Sequence, residues 1–296
     1  MFLLLLLLLL TPIIAQTTSS KRGLVHIASG GHPSDDSIWI TPPTTLTWYY
    51  NYNSRPTSSL SSGNLSFVPM LWGDHNNTFV EDVRGQEDVK WVLSFNEPDM
   101  GSNVGGSDIT PVRAAELWKR DIEPLKGVGK ELGAPAVSGS STGMSWLKDF
   151  FNECDGCSVD FIPIHWYGNF EGLASHIGEV RAAFPNKTIW VTEFGWADQP
   201  LAPTQNFFNT TLKYLDRLDY VTHYSWFGSF RSDVSNVGPN GAMLNSDGEV
   251  TDIGAWYLGR QGKGIKPNTG NSAARIRRGD WVLWGIVYFI ISLRAL

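Results

Sequence analysis

Two glutamates occupy equivalent places at the ends of strand-like segments, where a pair of carboxyl groups can perform acid–base or nucleophilic chemistry. Glu97 follows the apolar run 91–95, and Glu193 follows the run 188–192. Each run is rich in β-branched and aromatic residues, which is typical of a strand covered on both faces. A carboxylate at the mouth of such a strand is costly to desolvate, so two of them indicate a functional site.

The elements that position these glutamates follow a regular alternation. Eight strand-like segments are separated by stretches that can hold a helix, and the chain has 296 residues. This pattern predicts a parallel α/β architecture, and the length fits a closed (β/α)8 TIM barrel. An open doubly wound sheet is the alternative, but no Gly-rich phosphate loop follows the first strand. The predicted strands are 23–27, 45–50, 66–71, 89–95, 131–137, 159–165, 188–192 and 221–226.

The clearest helix signal begins at Thr110, a predicted N-cap followed by Pro111 at the first helical position. The pattern continues toward Gly133, and Pro124 inside it predicts a kink or break. The second and third gaps between strands are poor in helix signals, and residues 54–63 are typical of a loop. Further helices are predicted at 144–152, 173–184, 204–218 and, from a weaker pattern, 252–260.

In a barrel of this kind the active site lies at the carboxyl ends of the strands. Counting strands places Glu97 after the fourth and Glu193 after the seventh. Cleavage of a glycosidic bond usually requires two carboxyl groups, about 5–5.5 Å apart in retaining enzymes and about 6.5–9.5 Å apart in inverting ones. Aromatic rings also gather at predicted strand ends, where they suit the apolar faces of sugars. These rings are Trp72, Trp166, Trp196 and Trp226, and core packing is the competing interpretation for each.

Three motifs carry a resemblance to a known family. They are Ser-Phe-Asn-Glu-Pro-Asp at 94–99, Val-Asp-Phe-Ile-Pro-Ile-His-Trp-Tyr at 159–167 and Trp-Val-Thr-Glu-Phe-Gly-Trp at 190–196. In this order and at this spacing they resemble glycoside hydrolase family 128, which consists largely of fungal endo-β-1,3-glucanases. The likeness covers residues 22–262. It belongs within the wider clan of retaining glycosidases whose acid/base and nucleophile end strands four and seven.

The resemblance implies a double displacement with Glu97 as general acid/base and Glu193 as nucleophile. It also implies that Asn96 hydrogen-bonds the 2-hydroxyl of the sugar, an interaction that strengthens toward the transition state. The expected function is therefore a retaining endo-β-1,3-glucanase that hydrolyses the β-1,3-glucan of fungal-type cell walls.

The same resemblance implies a set of substrate-binding side chains. His165 and Tyr167 are expected to line the site, although a satisfied core histidine is the alternative for His165. Trp196 and Trp226 are expected to be stacking platforms for sugar rings, and Trp72 lies at the same rim. The expected partner is a β-glucan oligosaccharide or polysaccharide.

Three alternatives to this function remain open on the sequence alone. The chain could hold glucan through the same aromatics without cleaving it, could transfer glucan to an acceptor sugar, or could act on another β-linkage. A metal-dependent hydrolase is not expected, because the six histidines form no recognisable ligand cluster. No cofactor motif is present either, so we predict neither a metal nor a cofactor.

Both ends of the chain have the composition of processing signals. Residues 1–15 contain a leucine run and read as a secretory signal peptide. Residues 273–296 follow small residues with a polar spacer and an apolar tail, which matches a glycosylphosphatidylinositol (GPI) anchor signal. A short membrane-touching tail or a disordered carboxyl terminus are the alternatives for this segment. The catalytic domain is then 16–272, and we expect a secreted or cell-surface monomer.

Charge, sequons and cysteines agree with secretion. The formal net charge is −6, and the tail carries a net +3, so its removal leaves a domain of −9 that is unsuited to nucleic acid. The two cysteines, Cys154 and Cys157, predict a local disulfide in an oxidising compartment, whereas a redox or half-zinc motif is the reading for a cytosolic protein. Predicted N-glycosylation sites are Asn64, Asn76, Asn186 and Asn209.

Overall fold

The computed structural model describes residues 18–28, 31–75 and 78–268. Six parallel strands form one sheet in the order β3-β2-β1-β8-β7-β6, and β4 and β5 form a parallel pair. Isolated parallel bridges join Met70 to Leu93 and Gly133 to Phe161, which close the ring at both junctions. The predicted TIM barrel is therefore confirmed. The strands are β1 Arg22–Val25, β2 Trp48–Tyr50, β3 Ser66–Phe67, β4 Trp91–Val92, β5 Glu131–Leu132, β6 Phe161–Tyr167, β7 Thr188–Gly195 and β8 Val221–Trp226.

Helices follow the strands on the outside of the barrel. The second gap contains only the 3-10 turn Ser58–Leu60, as its weak helix signal predicts, whereas the third gap holds a short helix that the pattern does not reveal. The helices are α1 Asp36–Ile40, α2 Phe79–Arg84, α3 Pro111–Leu117, α4 Gly143–Glu153, α5 Phe170–Ala183, α6 Leu201–Arg217 and α7 Asp252–Tyr257.

The helix predicted from Thr110 begins where expected and breaks before Pro124. The Thr110 side chain accepts a hydrogen bond from the backbone N–H of Arg113, so it is the N-cap. The α-helical geometry ends at Leu117, and a π-helical turn and a 3-10 turn carry the chain past Pro124. Proline has no N–H to donate and its ring crowds the preceding turn, which explains why the regular helix does not continue.

Two apolar clusters pack on opposite sides of the strands. The larger one fills the space between the sheet and the helices, and the smaller one, here called the inner cluster, fills the barrel interior. Trp48 and Tyr50 of β2 both belong to the inner cluster because residues two apart on a strand share a face. The inner cluster comprises Val25, Trp48, Tyr50, Val68, Met70, Leu93, Phe161, Trp190, Phe227, Phe230 and Ala242.

The two predicted processing signals, 1–15 and 273–296, lie outside the described residues. Among the helices of the described residues, not one has the length and apolar character needed to span a membrane.

Candidate active site

A β-bulge in β7 brings Glu193 beside His165. The pairing of β6 with β7 passes from Ile164–Val191 directly to His165–Glu193, so Thr192 has no partner of its own. Bulges of this kind redirect side chains and are frequent next to active sites. Glu193 lies within β7, not after it as predicted, and its side chain is 7% exposed.

Three tyrosine hydroxyls donate hydrogen bonds to the Glu193 carboxylate. Tyr52 donates to Oε1 at 2.7 Å, and Tyr50 donates to the same oxygen at 3.3 Å. Tyr167 donates to Oε2 at 2.6 Å. Hydrogen bonds to a charged acceptor are among the strong ones, and together these three hold the carboxylate in one orientation.

Burial first, and then the negative charge of Glu193, raises the pKa of Tyr50, Tyr52 and Tyr167 well above the ordinary value for tyrosine. All three phenols therefore keep their protons at neutral pH. A protonated phenol can donate a hydrogen bond to a carboxylate, so their role as donors does not depend on pH in the physiological range.

Backbone contacts, more than side chains, position Glu97. This residue lies beyond β4 with φ of +39°, which is uncommon for a residue with a side chain. Its N–H donates to the carbonyl of Ala136 at 2.8 Å, and its carbonyl accepts from Met100 N at 2.9 Å. A Cβ at Gly106 would lie 2.5 Å from the Glu97 carbonyl oxygen, so only glycine allows this close approach.

The imidazole ring of His165 lies between the two glutamates. Its Nδ1 lies 3.0 Å from Glu97 Oε1, its Nε2 lies 3.5 Å from Glu193 Oε1, and the ring is fully buried. Burial alone lowers the pKa of His165, but the charge of Glu193 and the hydrogen bond to Glu97 outweigh it, so the pKa is raised overall. His165, which was predicted to line the site, therefore has one ring nitrogen facing each carboxylate.

The predicted juxtaposition of the two carboxyl groups is confirmed. One carboxylate oxygen of Glu97, one of Glu193 and one ring nitrogen of His165 lie within 4.8 Å of one another. Imidazole and carboxylates are also metal ligands, and this is the single group of three such residues in the described part of the chain. Both oxygens of Glu193 already accept hydrogen bonds from tyrosine hydroxyls. The absence of a metal site remains our prediction.

The predicted substrate-binding residues differ in how open they are. Tyr167 is 37% exposed, although its hydroxyl donates to Glu193. Trp72 and Trp196 are half-buried; Trp72 packs against the inner cluster, and Trp196 makes an edge contact with Phe207. Asn96 is buried: its Nδ2 donates to the carbonyl of Gly105, and its Oδ1 has no hydrogen-bond partner in the described residues.

The assignment of Trp226 as a sugar platform is wrong. Its side chain is 0% exposed, and its ring lies among Phe194, Phe207 and Phe208 behind β8. Its indole N–H donates to the carbonyl of Gly241 at 2.8 Å. A ring that is enclosed on both faces cannot stack on a sugar, so Trp226 is a core residue.

Sequence reasoning missed Tyr50 and Tyr52 as functional residues. Tyr50 ends the predicted second strand, where it is one of the aromatics near a strand end without a role of its own, and Tyr52 lies just beyond it with φ of +59°. A run of three aromatics ending a strand is compatible with core packing, so nothing in the local pattern distinguishes these two hydroxyls.

Cys154 and Cys157 form the predicted disulfide, at the end of α4. Of the predicted glycosylation sites, Asn64 and Asn186 are exposed, on loops that precede β3 and β7. Asn209 is half-buried on α6 and its sequon residue Thr211 is fully buried. Asn76 lies outside the described residues.

Comparison with known proteins identifies a family and a curated relative. The family model described as "Glycosyl hydrolase catalytic core" matches residues 23–257. Alkali-sensitive linkage protein 1 of Schizosaccharomyces pombe is 32% identical over 251 residues. The match covers 82% of this chain but only 45% of that relative, so the chain spans less than half of the relative's length.

Solved structures of glycoside hydrolase family 128 share the fold. An exo-β-1,3-glucanase from Aureobasidium namibiae has a TM-score of 0.73 at 20% identity, covering 84% of this chain and 99% of its own. An endo-β-1,3-glucanase from Sorangium cellulosum has a TM-score of 0.68 at 26% identity, covering 81% and 99%. An oligosaccharide-binding protein from Trichoderma gamsii has a TM-score of 0.66 at 24% identity, covering 82% and 94%.

These matches confirm the resemblance to family 128 that the three motifs indicate. The matched region contains every residue of the site, from Tyr50 to Glu193. The chain belongs to the family of proteins that share the glycosyl hydrolase catalytic core.

Proposed function

We propose that this protein is a retaining endo-β-1,3-glucanase that hydrolyses cell-wall β-1,3-glucan. The observation that carries the proposal is the short separation of the Glu97 and Glu193 carboxylates, of which one oxygen each lie within 4.8 Å of one another. This spacing is close to the about 5–5.5 Å of retaining glycosidases and well below the about 6.5–9.5 Å of inverting ones. The family-128 β-1,3-glucanases of similar fold support the choice of substrate.

In the proposed mechanism Glu193 attacks the anomeric carbon while Glu97 donates its proton to the leaving oxygen. The glycosidic bond breaks, and an ester bond to Glu193 forms on the opposite face of the sugar. Glu97, now a carboxylate, then takes a proton from a water molecule that attacks the same carbon and releases Glu193. Tyr167, beside Glu193, and the half-buried Trp72, on the inner cluster, provide aromatic surface at this end of the barrel.

Azide rescue tests the two roles. With an aryl β-laminaribioside, we expect Glu97→Ala to yield the β-glycosyl azide, because azide replaces water in the second displacement. We expect Glu193→Ala to yield the α-glycosyl azide, because azide replaces the nucleophile in a single displacement. Exchanged anomers would reverse the assignment, and full hydrolysis without azide in either variant would refute the mechanism.

Product analysis tests the substrate and the mode of action. We expect release of laminari-oligosaccharides from laminarin, and none of the corresponding products from cellulose or pustulan. Glucose as the only early product would indicate exo action, which the Aureobasidium relative represents. Products longer than the starting oligosaccharide would indicate transglycosylation.

A second candidate is glucan binding without cleavage. It is favoured by the Trichoderma structure, whose protein binds oligosaccharide within the same family. Against it, this chain has both carboxylates and a complete set of donors around Glu193. Wild-type protein that binds a laminari-oligosaccharide in calorimetry and leaves it intact overnight would favour this second function.

The proposed location is the cell surface. The predicted signal 1–15 and anchor signal 273–296 support it, as do the exposed sequons at Asn64 and Asn186. Expression of the full chain in a fungal host tests it: phosphatidylinositol-specific phospholipase C should release the protein from membranes. A chain that stays inside the cell would contradict this location without affecting the proposed reaction.

A further inference from the structure

Tyr52 lies outside the regular strands, yet it makes the shorter of the two tyrosine contacts to Glu193 Oε1. Its hydroxyl is 2.7 Å from that oxygen, compared with 3.3 Å for Tyr50, whose hydroxyl also donates to the carbonyl of Thr192 at 3.1 Å. The Tyr50 and Tyr52 hydroxyls also interact with each other through a side-chain hydrogen bond. The charged acceptor of the Tyr52 hydroxyl is the proposed nucleophile.

The backbone of Tyr52 is held in an unfavourable conformation to make this contact. A φ of +59° is uncommon for a bulky residue and persists only where the surroundings impose it. Asn51 Nδ2 donates to the carbonyl of Arg55 and to Thr57 Oγ1, and Asn51 Oδ1 accepts from Asn53 N. These bonds close the loop that contains Tyr52.

Ion pairing fastens the same loop to the barrel exterior. Arg55 pairs with Asp82 of α2 at 2.7 Å, and Ser54 Oγ donates to the same carboxylate at 2.8 Å. Gln86 Nε2 donates to the carbonyl of Ser54. The loop is thus tied at several points, and the strained residue at its start is positioned before any substrate arrives.

We propose that Tyr52 is a positioning residue that accelerates breakdown of the glycosyl-enzyme, an inference that rests on the proposed retaining mechanism. In this step the water oxygen forms a bond to the anomeric carbon and loses a proton to Glu97. The bond between that carbon and Glu193 breaks, and its electron pair stays on Glu193 as carboxylate charge. The Tyr52 hydroxyl donates to the oxygen on which part of this charge reappears.

The hydrogen bond from Tyr52 changes strength along the reaction. It is weak to the neutral ester of the intermediate and strong to the free carboxylate, because charged acceptors form the stronger bonds. Interactions that strengthen toward a transition state accelerate that step. The same bond weakens when the ester forms, so the hydroxyl helps the second displacement and not the first.

The test is Tyr52→Phe with 2,4-dinitrophenyl β-laminaribioside, whose good leaving group makes the first step fast. We expect kcat to fall about 10- to 100-fold, as for loss of a hydrogen bond to a charged group. KM should fall in parallel, leaving kcat/KM within about threefold of wild type, since that ratio reports only the first step. Mass spectrometry of the quenched enzyme should show a laminaribiosyl adduct on the peptide that contains Glu193.

Two further variants calibrate the result. Tyr50→Phe should show the same pattern with a smaller effect, because its contact to Oε1 is longer and shared with Thr192. Tyr214→Phe, on the outer helix α6 where its ring contacts Phe170, should leave kcat, KM and the adduct level unchanged.

A fall of kcat and kcat/KM together, without an adduct, would mean that Tyr52 only maintains structure and would overturn the inference. Unchanged kinetics in Tyr52→Phe would overturn it as well. Failure of the proposed function is a separate result, because it would show as a wild-type enzyme that does not turn over this substrate at all.

Discussion

The two ends of the barrel contrast in what their interior side chains do. At the amino-terminal end, the ring of Trp190 contacts Trp48, Trp91, Phe161 and His223 with centroid distances of 3.6–5.5 Å. At the carboxyl-terminal end, carboxylates, phenols and an imidazole face one another. Burial of apolar surface at the first end stabilises the fold. Holding charged groups out of water at the second end costs free energy of folding.

The backbone shows the same division. In the described part of the chain, the non-glycine residues with positive φ are Tyr52, Glu97, Asp108 and Asp198. All four lie in segments that follow strands, at the carboxyl-terminal end. Strained conformations concentrate at functional sites because the surrounding fold can support their cost. The contrast indicates that substitutions at one end should change activity and those at the other should change stability.

The largest expected effect is on activity, from Glu193→Gln and Glu97→Gln. Each should lower laminarin hydrolysis by at least about 10²–10⁴-fold, the contribution typical of acid–base catalysis. A dinitrophenyl leaving group needs no protonation. With such a substrate, Glu97→Gln should form the glycosyl-enzyme at a rate near that of wild type, and Glu193→Gln should not. Circular dichroism melting should show both variants folded. Loss of folding in either variant would contradict the view that this end of the barrel affects activity and the other end affects stability.

The next largest effect is on stability, from Trp190→Ala at the opposite end. Trp190 is almost fully buried at the centre of its ring cluster, so the truncation should reduce the free energy of unfolding by about 3–5 kcal/mol. Urea titration measures this loss. At temperatures where the variant is still folded, kcat should stay within about twofold of wild type. A large fall in kcat under those conditions would contradict the division of stability and activity between the two ends of the barrel.

Gly106→Ala tests whether the backbone positions the acid/base. The added Cβ would lie 2.2 Å from the Met100 carbonyl and 2.5 Å from that of Glu97, so the loop must shift. A displacement of about 1 Å at a catalytic group can cost about 10²-fold in rate, which is the expected fall in kcat. Gly178→Ala is the matched control, because apart from its chain neighbours and the backbone of α5 itself no atom lies within 4 Å of the added Cβ. Equal kinetics of the two variants would refute the positioning role.

The smallest effect is a pH dependence that originates at the amino-terminal end. Burial, with a smaller contribution from Lys90, lowers the pKa of His223 to about 3. The unfolded chain takes up this proton first as the pH falls, since a free histidine has a pKa of about 6.5. Stability is therefore lost between about pH 6.5 and 3, by about 3 kcal/mol at pH 4.5. His223→Phe should remove this part of the acid sensitivity in urea titrations at pH 7 and 4.5.

His165 should show the opposite sign. Its pKa is raised, so the stability it contributes is complete below the unfolded pKa and is lost as the pH rises through the folded one. The difference in unfolding free energy between wild type and His165→Gln should therefore be greatest below pH 6.5 and smaller at alkaline pH. A difference that grows with pH would contradict the raised pKa.

Local sequence pattern was sufficient for much of this molecule. The positions of the strands, the N-cap at Thr110 and the break before Pro124 depend on neighbouring residues, and the structure confirms them, although β3, β4 and β5 are shorter than their predicted runs. The barrel also follows from the alternation of elements. The meeting of Glu97 and Glu193 follows in turn, because the carboxyl ends of parallel strands share one face of a barrel.

Tertiary structure decided what each side chain faces. Trp226 and Tyr167 both end strands as aromatics, but helix α6 encloses the first and leaves the second beside Glu193. The bulge at Thr192 forms against β6, and the contact of Tyr52 with Glu193 joins residues 141 positions apart along the chain. Sequence by itself determined which elements form and at which end the carboxylates lie, because these follow from local periodicity. Long-range packing alone decided which rings reach Glu193, since the orientation of a side chain depends on neighbours that local pattern cannot identify.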